Sequence, residues 1–112
     1  METMVQNTNL VARPKFKEHY DNFINNQWVA PTKGEYFESI SPVDGNTFTK
    51  VARSTKEDID LALDAAHEAF KTWSKASATE KSNLLLKIAD IMEKNLDYLA
   101  AIETIDNGKP IR

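Results

Sequence analysis

The sequence contains no cysteine, and its 112 residues include only three glycines. Without cysteine the chain can form no disulfide, no thiolate metal site and no thiol nucleophile. The glycines, Gly34, Gly45 and Gly108, are far apart in the sequence. No glycine-rich loop is therefore present to hold the phosphates of a nucleotide, as dinucleotide-binding motifs do.

The chain also lacks an excess of positive charge, because 14 lysines and arginines stand against 17 aspartates and glutamates. Nucleic-acid binding requires a positive field that neutralises phosphates, so no nucleic-acid partner is predicted. No stretch approaches the run of about 18 apolar residues that a membrane helix needs. The first residues also lack the apolar core of a secretory signal. We therefore expect a soluble, cytoplasmic chain with no membrane partner.

The composition is otherwise typical of one small globular domain, with 41% hydrophobic and 28% charged residues. Residues 1–21 show neither helical nor strand periodicity, and Pro14 interrupts them. They are predicted to form an N-terminal arm. The remaining residues, 22–112, are predicted to form the folded unit.

Two β-hairpins are predicted at the start of this unit. Residues 23–29 place aromatic and β-branched side chains on both sides of Asn25-Asn26, and asparagine tolerates the left-handed conformations of tight turns. Two further strand-like runs, residues 36–40 and 47–51, are separated by a cluster of turn-forming residues, 41–46. These runs predict a second hairpin.

The hydrophobic period changes after Val51 from two to about 3.6 residues, which predicts helices. Ser54 and Thr55 are each followed three residues later by an acid, so a capping box is predicted to start the first helix there. One face of this helix carries an apolar stripe that is predicted to be core: Ile59, Leu63, Ala66, Phe70 and Trp73.

A second helix start is predicted at Ser77, which is followed by Glu80 at capping-box spacing. Its apolar pattern continues past Asn95 as far as Asn107-Gly108, where the glycine is predicted to form a left-handed C-cap. The chain thus reads as an α+β unit, with short hairpins followed by two or three helices.

The residues taken alone indicate no catalytic site. The two histidines, His19 and His67, lie in different segments, and neither has a second metal ligand at helical spacing. Carboxylates are numerous, but those of the first helix fall on its polar side, which is typical of a solvated face. No catalytic and no cofactor-binding residue is assigned in this chain.

Three segments carry a resemblance to a known family. They are residues 103–110 (Glu-Thr-Ile-Asp-Asn-Gly-Lys-Pro), residues 23–29, and the turn at residues 41–45 (Ser-Pro-Val-Asp-Gly). In order and spacing they resemble the aldehyde dehydrogenase superfamily over residues 22–112. Ser41 stands where that family usually has asparagine, and serine can form similar local side-chain bonds. Residues 20–24, 28–31 and 59–67 look most like the bacterial acetaldehyde dehydrogenase group.

The resemblance implies an α/β parent fold in which residues 22–112 are the N-terminal part of a Rossmann-like NAD-binding domain. It implies an enzyme in which a cysteine thiolate attacks the aldehyde and hydride passes to NAD or NADP. The implied reaction oxidises a small aliphatic aldehyde such as acetaldehyde to the carboxylic acid. This chain resembles only an N-terminal fragment of such an enzyme, so we expect it to be inactive alone and to bind no cofactor.

The resemblance also implies a possible monovalent-cation site. Family members build it from a main-chain carbonyl and a carboxylate that match Ser39 and Asp106 in this sequence. Hard oxygen ligands suit an alkali cation. The alternative is that Asp106, close to a helix end, bonds only to nearby main chain.

A second interpretation is a free-standing helical interaction module that has kept the family's opening fold without enzymatic activity. In either case the apolar helix faces need cover, because exposed patches of that size are costly in soluble proteins. We therefore expect self-association through residues that include Ile59, Leu63, Phe70, Trp73, Leu85, Ile88, Met92 and Leu99.

Overall fold

The computed structural model describes residues 13–111 and arranges them as short strands followed by three helices. The predicted α+β order is therefore confirmed. Part of the predicted arm, residues 1–12, lies outside the described residues, as does Arg112. The elements are β1 (His19–Tyr20), β2 (Asn22–Ile24), β3 (Gln27–Val29), β4 (Tyr36–Ile40), β5 (Thr47–Ala52), α1 (Lys56–Trp73), α2 (Ala78–Lys94) and α3 (Leu96–Asn107).

The first predicted hairpin is confirmed, since β2 and β3 pair in antiparallel fashion. Asn25 and Asn26 form its turn with φ angles of 52° and 66°. Two consecutive positive φ values are typical of a type I′ turn, whose twist matches that of the flanking strands. Phe23 and Trp28 are opposite each other, and their rings meet edge to face at 5.1 Å.

The second predicted hairpin, β4 with β5, is also confirmed, and it forms part of a three-stranded sheet in the order β1-β5-β4. The strand β1 runs parallel to β5, with His19 opposite Lys50. The hydroxyl of Thr49 supports this pairing by donating a hydrogen bond to the carbonyl of Lys17 at 2.7 Å. The sequence pattern did not reveal β1 because a strand of two residues is too short to show alternation.

The helices begin where the capping residues predict. Thr55 is the N-cap of α1, and Ser77 is the N-cap of α2, where its hydroxyl oxygen accepts a hydrogen bond from the main-chain N–H of Glu80. The helical pattern is interrupted at Asn95, whose side-chain amide donates to the carbonyl of Ile91 at 2.8 Å and so closes α2. Within residues 13–111, no helix is both long enough and apolar enough to cross a bilayer.

The core of the described residues is small, with only Ala101 and Ile105 as buried hydrophobic residues. The radius of gyration is 18.4 Å and the thinnest dimension is 18 Å. A compact domain of similar length has a radius of about 13 Å, so the chain is flat and extended. The stripe predicted to be core is exposed instead, with Phe70 at 64% and Ile59 at 52% exposure. Among residues 13–111 that prediction was wrong, because the first hairpin lies against the alanines of α1 and does not cover the large side chains of the stripe.

Candidate functional site

The turn between β4 and β5 is held by its own side chains. Ser41 is 2% exposed, and its hydroxyl oxygen accepts a hydrogen bond from the main-chain N–H of Val43 at 3.2 Å. Its main-chain N–H donates to the carbonyl of Asn46 at 2.9 Å. Asp44 accepts a further bond from the N–H of Asn46. Serine therefore makes the local side-chain bond expected of it at this position.

The end of α3 is fixed by a left-handed cap. Gly108 has a φ of 80° and donates its N–H to the carbonyl of Thr104 at 2.8 Å. The hydroxyl of Thr104 donates to the carbonyl of Lys109, and the side-chain oxygen of Asn107 accepts from the N–H of Lys109. The predicted C-cap is therefore present. Residues on both sides of Gly108 hold the chain that leaves the helix.

These two segments, which carry most of the family resemblance, lie against each other. A Cβ atom placed on Gly108 would be 3.1 Å from Cγ of Pro42, which is closer than most side-chain contacts. The buried residues Ile105 and Ser41 lie in the same two segments. We call this contact between residues 41–46 and residues 104–110 the turn–cap junction.

Of the residues of the predicted cation site, Ser39 lies two residues before the turn segment of this junction, and Asp106 lies within its helix segment. Ser39 is half-buried in β4, paired with Thr49, and a register irregularity follows it. Asp106 is exposed in the last turn of α3. Within the described part of the chain, no cluster of three or more His, Asp or Glu side chains could hold a metal ion. The local main-chain bonds expected of Asp106 are made by Thr104 and Asn107.

A polar cluster that the sequence did not reveal joins β1 to β4. The hydroxyl of Tyr36 donates to Asp21, and Nε2 of His19 lies 3.6 Å from the same carboxylate oxygen. The hydrogen bond to Asp21 raises the pKa of Tyr36 above its ordinary value. Beside the cluster is an open cleft of ≈ 300 Å³ lined in part by Trp28. The sequence gives no signal for this cluster because Tyr36 reaches it from another strand.

Asp58 is the most deeply buried carboxylate among the described residues, at 2% exposure. One oxygen accepts from the main-chain N–H of its N-cap residue, Thr55, at 2.9 Å, and the other accepts from the N–H of Thr32 at 2.9 Å. These bonds, first that from Thr55 and then that from Thr32, lower the pKa of Asp58 against the opposing effect of desolvation. The ionised side chain therefore fixes the start of α1.

Loops that bind the phosphates of a dinucleotide direct several main-chain N–H groups at one anion. Among the described residues, Gly34, Gly45 and Gly108 lie at three separate turns. The first turns of the two longer helices carry acids, Glu57 and Asp58 in α1 and Glu80 in α2. Negative side chains at these N-termini repel a phosphate.

A family comparison matches residues 28–112 to the model of the "Aldehyde dehydrogenase family". The match covers most of the chain and includes both segments of the turn–cap junction. This chain belongs to the aldehyde dehydrogenase family.

Individual relatives agree with this assignment. The chain is 66% identical over 97 residues to a long-chain-aldehyde dehydrogenase from an Acinetobacter species, covering 87% of this chain and 19% of the relative. It is 52% identical over 102 residues to acetaldehyde dehydrogenase 2 from Cupriavidus necator, covering 91% of this chain and 20% of the relative. The chain therefore spans about a fifth of the length of the curated relatives it matches.

A solved structure shows the same fold. The crystal structure of PnpE in complex with nicotinamide adenine dinucleotide matches with a TM-score of 0.79 and 36% identity, covering 81% of this chain and 19% of that one. The family match and this similarity confirm the predicted parent fold, a Rossmann-like architecture of which this chain covers only part. They do not favour the alternative of a helical module without enzymatic activity.

Proposed function

We propose that this chain acts as the N-terminal part of an NAD(P)-dependent aldehyde dehydrogenase that oxidises a small aliphatic aldehyde, such as acetaldehyde, to the carboxylic acid. The observation that carries the proposal is the identity of 52–66% to two aldehyde dehydrogenases over at least 87% of the chain. The name of the Cupriavidus relative supports acetaldehyde, whereas that of the Acinetobacter relative indicates longer substrates. The cytoplasmic location stays a prediction.

Within such an enzyme this chain contributes structure rather than reacting groups. Its turn–cap junction and the bridge made by Asp58 fix the relative positions of the hairpins and helices. The thiolate that the family's reaction needs has no counterpart here, because the sequence contains no cysteine. The chain alone is therefore inactive and binds no cofactor in this proposal.

A chimera tests the proposal directly. This chain replaces the matched 97-residue segment of the Acinetobacter enzyme, and reduction of NAD and NADP is measured with acetaldehyde and with a long-chain aldehyde. We expect turnover close to that of the unmodified enzyme, which serves as the control. A soluble chimera with the native oligomeric size but no turnover would contradict the proposed role.

The substrate is tested on the native protein that carries this sequence. Values of kcat/KM are compared for a series of straight-chain aldehydes. We expect the highest value for the shortest members. A maximum at long chain lengths would overturn the choice of acetaldehyde while leaving the family role intact.

We also propose that Ser39, through its main-chain carbonyl, and Asp106 contribute to a monovalent-cation site in the whole enzyme. The family resemblance supports this, together with the exposure of Asp106, whose carboxylate is open to further ligands. In the chimera, Asp106→Asn should remove a dependence of the melting temperature on potassium. If choline and potassium chloride give equal melting temperatures before the substitution, this site does not form.

For the isolated chain we propose self-association through its apolar helix faces. The flat shape and the exposure of large side chains on all three helices support this, for example Phe70 at 64%, Leu85 at 66% and Leu96 at 63%. Burial of one such side chain contributes about 1.5–3 kcal/mol, so association is favourable even when only a few are covered. Light scattering across a concentration series should show a dimer or larger species, whereas a monomer at every concentration would refute it.

A further inference from the structure

The turn–cap junction contains two residue pairs in which an acid or amide side chain is followed by glycine. Asp44-Gly45 lies in the turn between β4 and β5, and Asn107-Gly108 lies at the end of α3. The sequence has no other Asp-Gly or Asn-Gly pair. Such pairs are chemically labile, because glycine has no side chain that keeps its main-chain nitrogen away from the side-chain carbonyl carbon of the preceding residue.

The two pairs have the same local geometry. Each glycine donates its main-chain N–H to the carbonyl four residues earlier, at 2.8 Å in both cases. Each preceding side chain accepts, through an oxygen atom, from the N–H two residues later, at 2.9 Å for Asp44 and 2.8 Å for Asn107. The φ angles are 74° at Gly45 and 80° at Gly108. The nitrogen and the side-chain carbonyl group of each labile pair are thus both engaged with other groups.

Further contacts hold Asn107-Gly108 in place. The side-chain amide of Asn107 donates to the carboxylate of Glu103, one helical turn earlier. The hydroxyl of Thr104 donates to the carbonyl of Lys109 at 2.6 Å, which keeps the N–H of Lys109 directed at the Asn107 side chain. Pro42 lies against the glycine from the turn side. Asparagine is the thermolabile member of the two acid or amide residues, so its pair has the greater need of these contacts.

The reaction that these contacts oppose is loss of ammonia from Asn107. The main-chain nitrogen of Gly108 attacks Cγ of Asn107, the bond from Cγ to Nδ2 breaks, and the proton of the nitrogen leaves with the ammonia. Water then opens the resulting succinimide ring at either carbonyl and gives aspartate or isoaspartate. In the closed cap both reacting groups are held by hydrogen bonds, so the reaction requires the end of α3 to open locally.

We propose that Asn107 is a site of non-enzymatic deamidation that the turn–cap junction holds closed, so that the modification marks molecules whose junction has opened. The contacts that carry the proposal lie within residues 103–109 and their neighbour Pro42. They do not depend on the activity proposed for the whole enzyme.

The product of the reaction does not fit the closed cap. The amide that donates to Glu103 becomes a carboxylate, so two negative side chains face each other at a spacing of four residues. The new charge also lies at the C-terminal end of α3, where the helix dipole favours positive charge. Within the described helix, Leu96–Asn107, the last turn has no basic residue to compensate. Deamidation therefore keeps the junction open once it has occurred.

Peptide mass spectrometry of the native protein that carries this sequence measures the protection. A synthetic peptide of residues 102–111 is the reference, because so short a helix does not form in isolation. We expect Asn107 to react at least about tenfold more slowly in the folded protein than in the peptide, since only the open fraction reacts. Equal rates in the protein and the peptide would overturn the proposal.

A variant that loosens the cap tests the cause of the protection. Thr104→Val removes the bond to Lys109 and should bring the rate of deamidation toward that of the peptide. Thr72→Val, which removes a hydroxyl bond to main chain in α1, is the matched control and should leave the rate unchanged. The other asparagines in the same digests report general unfolding, and their rates should not change. No acceleration in Thr104→Val, or equal acceleration in both variants, would overturn the proposal.

The misfit of the product is tested by exchanging acid and amide. Asn107→Asp should lower the melting temperature of the native protein, because it places a carboxylate beside Glu103. Glu103→Gln alone is the control and should have little effect, since its amide oxygen still accepts from Asn107. The double variant Glu103→Gln/Asn107→Asp restores a donor and an acceptor in reversed positions and should recover most of the loss. Strictly additive effects would show that this contact does not hold the cap, which would overturn the proposal.

Discussion

Asp58 and Thr32 are joined by a hydrogen bond in which the main-chain N–H of Thr32 donates to the carboxylate at 2.9 Å, across 26 residues of sequence. The same carboxylate caps α1 through Thr55. A single buried side chain therefore connects the loop after the first hairpin to the first helix. Removal of the Asp58 carboxylate should destabilise both that loop and the start of α1.

The stability of the chain should depend on the ionisation of Asp58. Its pKa is lowered in the folded state, so the unfolded state binds the proton more tightly and stability rises with pH. The contribution is present above the ordinary pKa of about 3.9 and is lost as the pH falls through the lower folded value. Urea unfolding of the wild type and of Asp58→Asn between acid and neutral pH measures this. The wild type should have the higher free energy of unfolding near neutral pH, and this difference from Asp58→Asn should shrink in acid. A difference that does not change with pH would contradict the prediction.

Gly108→Ala should destabilise the chain by more than Gly45→Ala. Both glycines have positive φ, at 80° and 74°, so both substitutions carry a backbone penalty of about 1 kcal/mol. Only the Cβ at position 108 also meets Pro42, since nothing lies within 4 Å at position 45. Urea midpoints of the single variants give the comparison. Adding Pro42→Ala should recover part of the stability lost in Gly108→Ala. If the effects of the two substitutions on stability are strictly additive, the added Cβ at position 108 does not clash with Pro42.

Ser77→Ala should lower the free energy of unfolding by about 1 kcal/mol, because it removes the hydroxyl that accepts from the N–H of Glu80 at the start of α2. Ser82→Ala, inside the same helix, is the control. It should be neutral or slightly stabilising, since alanine has the higher helix propensity. Circular dichroism during urea unfolding reports both. Equal effects of the two substitutions would argue against a capping role.

The purified chain should not oxidise acetaldehyde with either NAD or NADP. The reaction of the family begins with a thiolate, and the sequence has no cysteine. Nicotinamide reduction at saturating aldehyde is the measurement, with an active aldehyde dehydrogenase as the positive control. Turnover that persists through further purification would require another nucleophile.

The chain should also bind NAD weakly or not at all. Its helix N-termini carry acids and its glycines are dispersed, so no anion site is available for the pyrophosphate. Calorimetric titration measures the affinity directly. A micromolar dissociation constant would show that a cofactor surface exists without a phosphate loop.

Local features were predictable from the sequence because short-range chemistry determines them. The turn at Asn25 and Asn26 requires positive φ, and the caps at Ser77 and Gly108 satisfy main-chain groups a few residues away. Features that depend on distant residues were not predictable. The pairing of β1 with β5 and the bond between Tyr36 and Asp21 both require the tertiary arrangement.

The helix faces illustrate a different limit. An apolar stripe such as that containing Phe70 predicts that a surface needs cover, but not which molecule covers it. The assignment of Ser39 and Asp106 to a cation site likewise rests on family resemblance and not on any local sequence pattern. Their position beside the turn–cap junction depends on how β4 and α3 pack.

The parallel pairing of β1 with β5 has a consequence for the order of folding during synthesis. The hydroxyl of Thr49 bonds to the carbonyl of Lys17, 32 residues earlier, with both hairpin turns between them. The first hairpin closes a short loop and can form as soon as it leaves the ribosome, whereas β1 must wait until β5 emerges. We therefore expect β1 to be the last strand to join the sheet that it forms with β5 and β4.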